Sequence, residues 1–313
     1  MIHTIAIPTP FMVGRVNTYL VEDDPLTLVD TGPNSGKALD ELEQAIAALG
    51  HRVEDLGLII VTHQHIDHMG LVDILARRSG AEVAAIASLG PWLAEYSLRM
   101  NEEDEFAEAL MKRHGVSDET CMALRAVSAA FRGWGAPSTV TRLLDDGEVL
   151  ALRDRKLSVH HRPGHSPTDT VFYDAERREM LGGDHLIGHI SSNPLITKAE
   201  PRALIAYLDS LRKTAEMDVD VVWPGHGDPV RDHRDLIESR FRMHERRAAK
   251  IRRVLEDGPR TAHEIATGMW GNLAVTQAYL TLSEVLGHLD LLRDRGEVVE
   301  DDDGPVSRFA VAG

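Results

Sequence analysis

The stretch Thr62-His63-Gln64-His65-Ile66-Asp67-His68-Met69-Gly70 gathers three histidines and an aspartate within six residues, directly after the apolar run 58–61. A short, continuous apolar run that ends in a turn reads as a strand covered on both faces. Imidazole and carboxylate are ligands for zinc, iron and manganese, and packing alone gives no reason to collect four such groups at one strand end. His63 and His65 can aim the same way from that end, while Asp67 and His68 fall in the following loop and turn. The segment therefore has the spacing to serve two metal ions rather than one.

The same device recurs along the chain. Pro163-Gly164-His165-Ser166 follows a strand-like run at 156–160, Gly182-Gly183-Asp184-His185 closes another apolar step, and Pro224-Gly225-His226-Gly227 follows 219–223. Each puts a His or Asp where a strand yields to a glycine turn, which lets backbones approach closely and leaves the side chain free. Upstream, Asp30-Thr31-Gly32-Pro33 breaks a strand at 26–29 that pairs with 17–21. A helix capped by Asn34 or Ser35 runs to Leu49 and stops at Gly50, with Leu39, Leu42, Ile46 and Leu49 as its apolar stripe. A helix at 71–78 and a strand at 82–86 continue the αβ alternation.

Residues 91–135 carry no strand pattern and read as a helical insertion rich in Ala, Leu, Met and Glu. Strands return from about Leu143, with a helix at 201–212. Residues 231–257 form an Arg-rich helical connector with a solvated face. After Gly258-Pro259, helices at 261–266 and 279–293 and a hairpin at 298–311 suggest a winged-helix-like unit over 258–313. Its second helix carries Glu284 and Asp290 against one arginine, which favours packing or homodimer formation over DNA reading.

Composition narrows the function. With 34 basic and 50 acidic residues the net charge is −16, which speaks against broad nucleic-acid binding and docking on anionic membranes. The single cysteine, Cys121, excludes an intramolecular disulfide. No basic, apolar leader precedes the first strand and no run approaches the roughly 20 residues of a membrane span, so a soluble, cytoplasmic protein is expected.

The motif His63-x-His65-x-Asp67-His68, followed in order by His165, Asp184 and His226 and preceded by Asp30, resembles that of the metallo-β-lactamase-fold hydrolases. The insertion and C-terminal unit resemble a subgroup that carries both. The resemblance implies an α/β fold, a four-layer αββα sandwich over residues 1–230, with the small winged-helix-like domain behind it. It implies two divalent ions, zinc first and iron or manganese compatible. His63, His65 and His165 would hold one ion, Asp67, His68 and His226 the other, with Asp184 bridging and Asp30 orienting the ligand loop. The implied activity is hydrolysis of a small acyl substrate, a thioester or a lactone or ester, by hydroxide held between the ions, as in thioesterases, lactonases and glyoxalase II-like enzymes. Asp67 and His185, beside Asp184, are the expected proton-transfer groups. The apolar residues of 91–135 would suit an acyl chain if they lie over the metals. Alternatives are a nuclease for single-stranded RNA, a mononuclear-iron persulfide oxygenase and a metal-responsive regulator. His51, His114, His160, His161, His233, His244, His263 and His288 read as surface or structural residues.

Overall fold

Aliphatic and β-branched runs build two sheets. The first comprises β1 (Ile2–Ile7), β2 (Val16–Val21), β3 (Thr27–Val29), β4 (Leu58–Ile60), β5 (Glu82–Ile86) and β6 (Arg142–Leu144), side by side in chain order. β1 to β3 pair antiparallel and β3 to β6 parallel. The second comprises β7 (Val149–Ala151), β8 (Lys156–His161), β9 (Thr170–Asp174), β10 (Glu179–Gly183) and β11 (Val221–Pro224), with only β10 and β11 parallel. This computed structural model describes residues 1–271 and 274–313. Leu28, Ile60 and Val83 of one sheet and Leu157, Phe172 and Leu181 of the other share a single core.

Helices cover the outer faces. α1 (Gly36–Ala48) starts where Ser35 Oγ accepts the Ala38 amide at 3.1 Å, and buries Ala38, Leu42 and Ile46. The buried stripe is thus rotated from the expected one, leaving Leu39 and Leu49 half-buried. The single turn α2 (Ile66–Met69) and α3 (Val72–Ser79) follow β4. The insertion forms α4 (Leu89–Ala94), α5 (Tyr96–Arg113) and α6 (Asp118–Phe131). α7 (Ala203–Ala215) and α8 (His233–Leu255) pack on the second sheet, where Tyr207, Leu211 and Ile237 meet Val171, Met180 and Val222. The result is the layered α/β arrangement that the sequence leads one to expect.

The C-terminal elements are α9 (Ala262–Trp270), α10 (Ala278–Asp294) and the antiparallel pair β12 (Val298–Asp301) and β13 (Arg308–Val311). Thr261 and Glu264 cap α9 reciprocally. Every residue from Leu282 to Leu289 is buried, so α10 is a central helix with no face left for a DNA groove. Its core also corrects the expected role of the insertion. Met111, Val116 and Cys121 pack with Ile265, Leu282 and Leu286 rather than over the histidine motifs, and Met122 is 64% exposed. The start of the insertion packs on the first sheet's core, where Leu89, Leu93 and Tyr96 are buried and Trp92 and Met100 lie beside them, and at the end of α6 Phe131 meets Phe11 at 5.4 Å. The connector is not uniformly solvated either. Arg240 reaches the carbonyls of Ile187, Gly188 and Ile190, and Arg247 pairs with buried Glu284. Among the described residues no helix is long and apolar enough to cross a membrane.

His114 stacks on Phe309 across the insertion and the C-terminal hairpin, with ring centroids 5.8 Å apart. Burial pulls its pKa from the ordinary 6.5 to about 4. The unfolded chain therefore takes up this proton first. The contribution is intact above pH 6.5 and is lost as pH falls toward 4, by up to about 3 kcal/mol. Unfolding midpoints at pH 7 and pH 4.5 should differ less in His114→Phe than in the wild type. An equal drop in both proteins would remove His114 from the acid limb.

Candidate metal centre

Parallel pairing of β3 with β4 and of β10 with β11 brings their C-terminal ends together in pairs. Asp30 ends β3 in a left-handed conformation, φ +58°, which Asp and Asn tolerate better than other side chains. Its Oδ1 accepts the Thr62 amide at 2.9 Å, and its Oδ2 accepts Thr62 Oγ1 and His68 Nδ1–H, both at 2.8 Å. The Thr62 hydroxyl proton is spent on Asp30, so Oγ1 is left to accept His63 Nδ1–H at 3.0 Å. His165 Nδ1–H donates to the Asn193 carbonyl at 3.1 Å, and His226 Nδ1–H to that of Arg15 at 2.8 Å. In all four rings the outward hydrogen bond fixes the tautomer and leaves Nε2 bare.

Those bare nitrogens converge. His65 Nδ1 lies 3.0 Å from His63 Nε2 and 2.9 Å from His165 Nε2. His63, His65, His165 and Asp184 form one group whose potential ligand atoms lie within 4.8 Å of one another, and Asp67, His68 and His226 form a second. Asp184 stands between them. Its Oδ1 is 3.4 Å from His68 Nε2, and its Oδ2 is 3.5 Å from both His165 Nε2 and His226 Nε2. Asp67 Oδ2 is 3.3 Å from His226 Nε2. His68 Nε2, His226 Nε2 and Asp184 Oδ1 are buried without a hydrogen-bond partner among the described residues. Buried polar atoms left unpaired are costly, and facing lone pairs repel. A pair of divalent cations relieves both penalties, so the donor set fits the ions that the spacing suggests.

The electrostatics divide the histidines. Against burial, Asp184, Asp30 and Asp67 hold His68 well above its usual pKa, and Asp67 and Asp184 raise His226, so these two Nε2 atoms take a proton that a metal ion would displace. Burial, reinforced by neighbouring imidazoles, holds His63 well below its usual pKa and His65 at about 3, so both are neutral ligand forms. Burial alone would raise Asp184, but the surrounding His68, His226 and His165 keep it a carboxylate. Glycines make the close approach possible. The Gly225 amide donates to the Gly183 carbonyl at 2.6 Å. A Cβ on Gly225 would collide with Asp184 Oδ1 and His68 Cε1.

One expected residue stands apart. His185 belongs to neither group. Its Nε2 bonds Thr214 Oγ1 at 2.8 Å, and its ring meets the edge of Tyr207 beneath the second sheet. The strand ends at Gly183 in a left-handed turn, φ +48°, closed by the His185 amide on the Gly182 carbonyl at 3.1 Å, and across that turn Asp184 faces the cluster while His185 faces α7. Other supporting groups carry little sequence signal. Asp169 accepts the Ser166 amide and hydroxyl at 3.1 and 2.9 Å and lies 4.0 Å from His63 Nδ1. Thr62 stands inside the quoted motif, but Arg15 and Asn193 act through main-chain carbonyls that any residue supplies.

Residues 12–226 match the family model of the metallo-beta-lactamase superfamily. The chain belongs to that superfamily. Its metallo-hydrolase character extends to a relative from Bacillus subtilis (strain 168), "Probable metallo-hydrolase YqjP", 32% identical over 293 residues, or 92% of this chain and 91% of the relative. "Acyl-coenzyme A thioesterase MBLAC2" from Gallus gallus is 30% identical over 184 residues, or 55% of this chain and 57% of that protein. The crystal structure of a metallo-beta-lactamase family protein from Thermus thermophilus superposes with a TM-score of 0.85 at 28% identity, covering 99% of this chain and 98% of that one. Superfamily members use divalent metals, and the two groups are where this member offers ligands for them.

Asp30→Asn keeps the side-chain size and suits the same φ, but its amide cannot accept all three hydrogen bonds. Competition with a chelating indicator should show metal affinity falling about 10- to 100-fold, with the far-ultraviolet circular dichroism unchanged. Undiminished affinity would mean that Asp30 does not orient the ligands.

Proposed function

We propose that this protein is a metal-dependent hydrolase of small acyl substrates, thioesters first and lactones or esters second, working with two divalent ions, zinc foremost. His63, His65 and His165 hold one ion, Asp67, His68 and His226 the other, and Asp184 is shared. The observation that carries the reading is the convergence of these seven side chains, with Nε2 of four histidines bare and turned inward and one carboxylate within 3.5 Å of three of them. When bound, such ions polarise an acyl carbonyl and lower the pKa of water toward 7.

The chain's own residues divide the remaining work. The Asp67 carboxylate takes the proton of the attacking water and returns it to the departing thiolate or alkoxide. His185, bonded to Thr214, takes no part in that transfer. Half-buried His65 and His165 form the open side of the cluster, while His63 and His68 are fully buried. The β1–β2 loop runs into Arg15, whose carbonyl holds His226, and it carries Phe11, paired with Phe131, and Met12, 91% exposed. These side chains supply an apolar rim for an acyl group. Similarity to an acyl-coenzyme A thioesterase favours the thioester. The complete ligand set disfavours a single-iron oxygenase, and the net charge of −16 disfavours RNA cleavage. On this reading 1–230 is the catalytic unit, 231–257 a connector and 258–313 a winged-helix-like unit serving packing.

Zinc-loaded protein should hydrolyse acyl-coenzyme A esters in a panel that also contains lactones, and lose activity on chelation. Asp67→Asn should lower kcat by about 10²- to 10⁴-fold. Phe11→Ser should raise KM for long chains more than for acetyl. Turnover of neither thioester nor lactone above a His63→Ala control would defeat the proposal.

A further inference from the structure

Another set of imidazole and carboxylate groups lies outside both clusters. His244 on α8 and Glu284 and His288, one turn apart on α10, bring potential ligand atoms within 4.8 Å of one another. They are 1%, 8% and 0% exposed. His288 Nδ1–H donates to the Glu284 carbonyl at 2.6 Å, which leaves His288 Nε2 bare and facing His244 Nδ1 at 3.2 Å. This is the arrangement of the main centre, where an outward-bonded ring turns a lone pair onto a neighbouring imidazole at 2.9 to 3.0 Å. Two nitrogens each coordinating one tetrahedral zinc ion stand about 3.3 Å apart. Arg247 engages Oε1 of Glu284 at 2.5 Å, and a carboxylate has a second oxygen with further lone pairs. With Nδ1 as the ligand atom, His244 Nε2 carries the ring proton, which has no hydrogen-bond partner among the described residues. Burial holds both imidazoles below their usual pKa, in the neutral form that ligates.

We propose that His244, Glu284 and His288 bind a third divalent transition-metal ion, of the zinc class, which fastens α8 to α10. Two imidazoles and a carboxylate are a donor set that zinc accepts, with water completing the four positions. The ion would join the helix that follows the catalytic unit to the central helix of the C-terminal unit. The competing account is a direct imidazole–imidazole hydrogen bond with no ion.

Crystals of the full chain grown with zinc and measured at the zinc absorption edge decide between the two. An anomalous peak between His244 Nδ1 and His288 Nε2 is expected, separate from any at the His63–Asp184 cluster. Elemental analysis should give one ion fewer per chain in His288→Gln and in the gentler Glu284→Gln, each checked for folding by circular dichroism, with thioesterase activity kept. No peak at this position, whatever the state of the main cluster, overturns the proposal, as does equal metal content in wild type and both variants. A peak here with none at the main cluster would uphold it and sink the catalytic reading instead.

Discussion

Four Nδ1–H groups, each donating outward to an oxygen, leave four Nε2 atoms facing one another and two carboxylates in a buried space. Only protons on His68 and His226, drawn there by Asp184 and Asp67 against the effect of burial, or bound cations can offset that charge. The rest of the site is organised around this imbalance. Asp30 sets two of the four rings, His68 directly and His63 through the Thr62 hydroxyl. Its left-handed backbone turns the carboxylate back under the loop after β4.

The scaffold keeps this strained polarity in register by tying the two sheets together beside it. The Asn17 side-chain amide donates to the Pro224 and Gly227 carbonyls at 3.0 and 2.8 Å, and the Tyr19 hydroxyl to Pro224 at 2.6 Å. Val16 pairs with His226 itself. β2 and the turn after β11 therefore move as one piece. The loop between β1 and β2 is closed on itself by Thr9 Oγ1, which donates to the Gly14 carbonyl at 2.5 Å and accepts the Phe11 amide at 3.2 Å, and it leaves Met12 exposed at its tip.

How much of this was legible in the sequence follows from the distances over which each feature is encoded. The 62–70 segment is local, so the spacing of His63, His65, Asp67 and His68 already carried their grouping. The Gly-containing turns carrying His165, Asp184 and His226 marked strand ends. That they converge rests on strand pairings, which single motifs do not reveal. β1 escaped notice because half of Ile2–Ile7 faces outward. α10 lies close to the expected 279–293, but the burial of Ser283, Glu284 and His288 on it is not legible, because Arg247 and His244, the partners of the last two, come from α8. The destination of Met111 and Cys121 lies about 150 residues further along the chain, beyond any periodicity argument.

That destination also bears on how such a chain can change over generations. The insertion and the C-terminal segment complete each other's core, and each buried aliphatic side chain contributes about 1.5–3 kcal/mol. A lineage that shed the tail would leave Met111, Val116 and Cys121 wet, and one that shed the insertion would uncover Ile265 and Leu286. Loss of either segment would strip the other of its core, although more than a hundred residues separate the two along the chain.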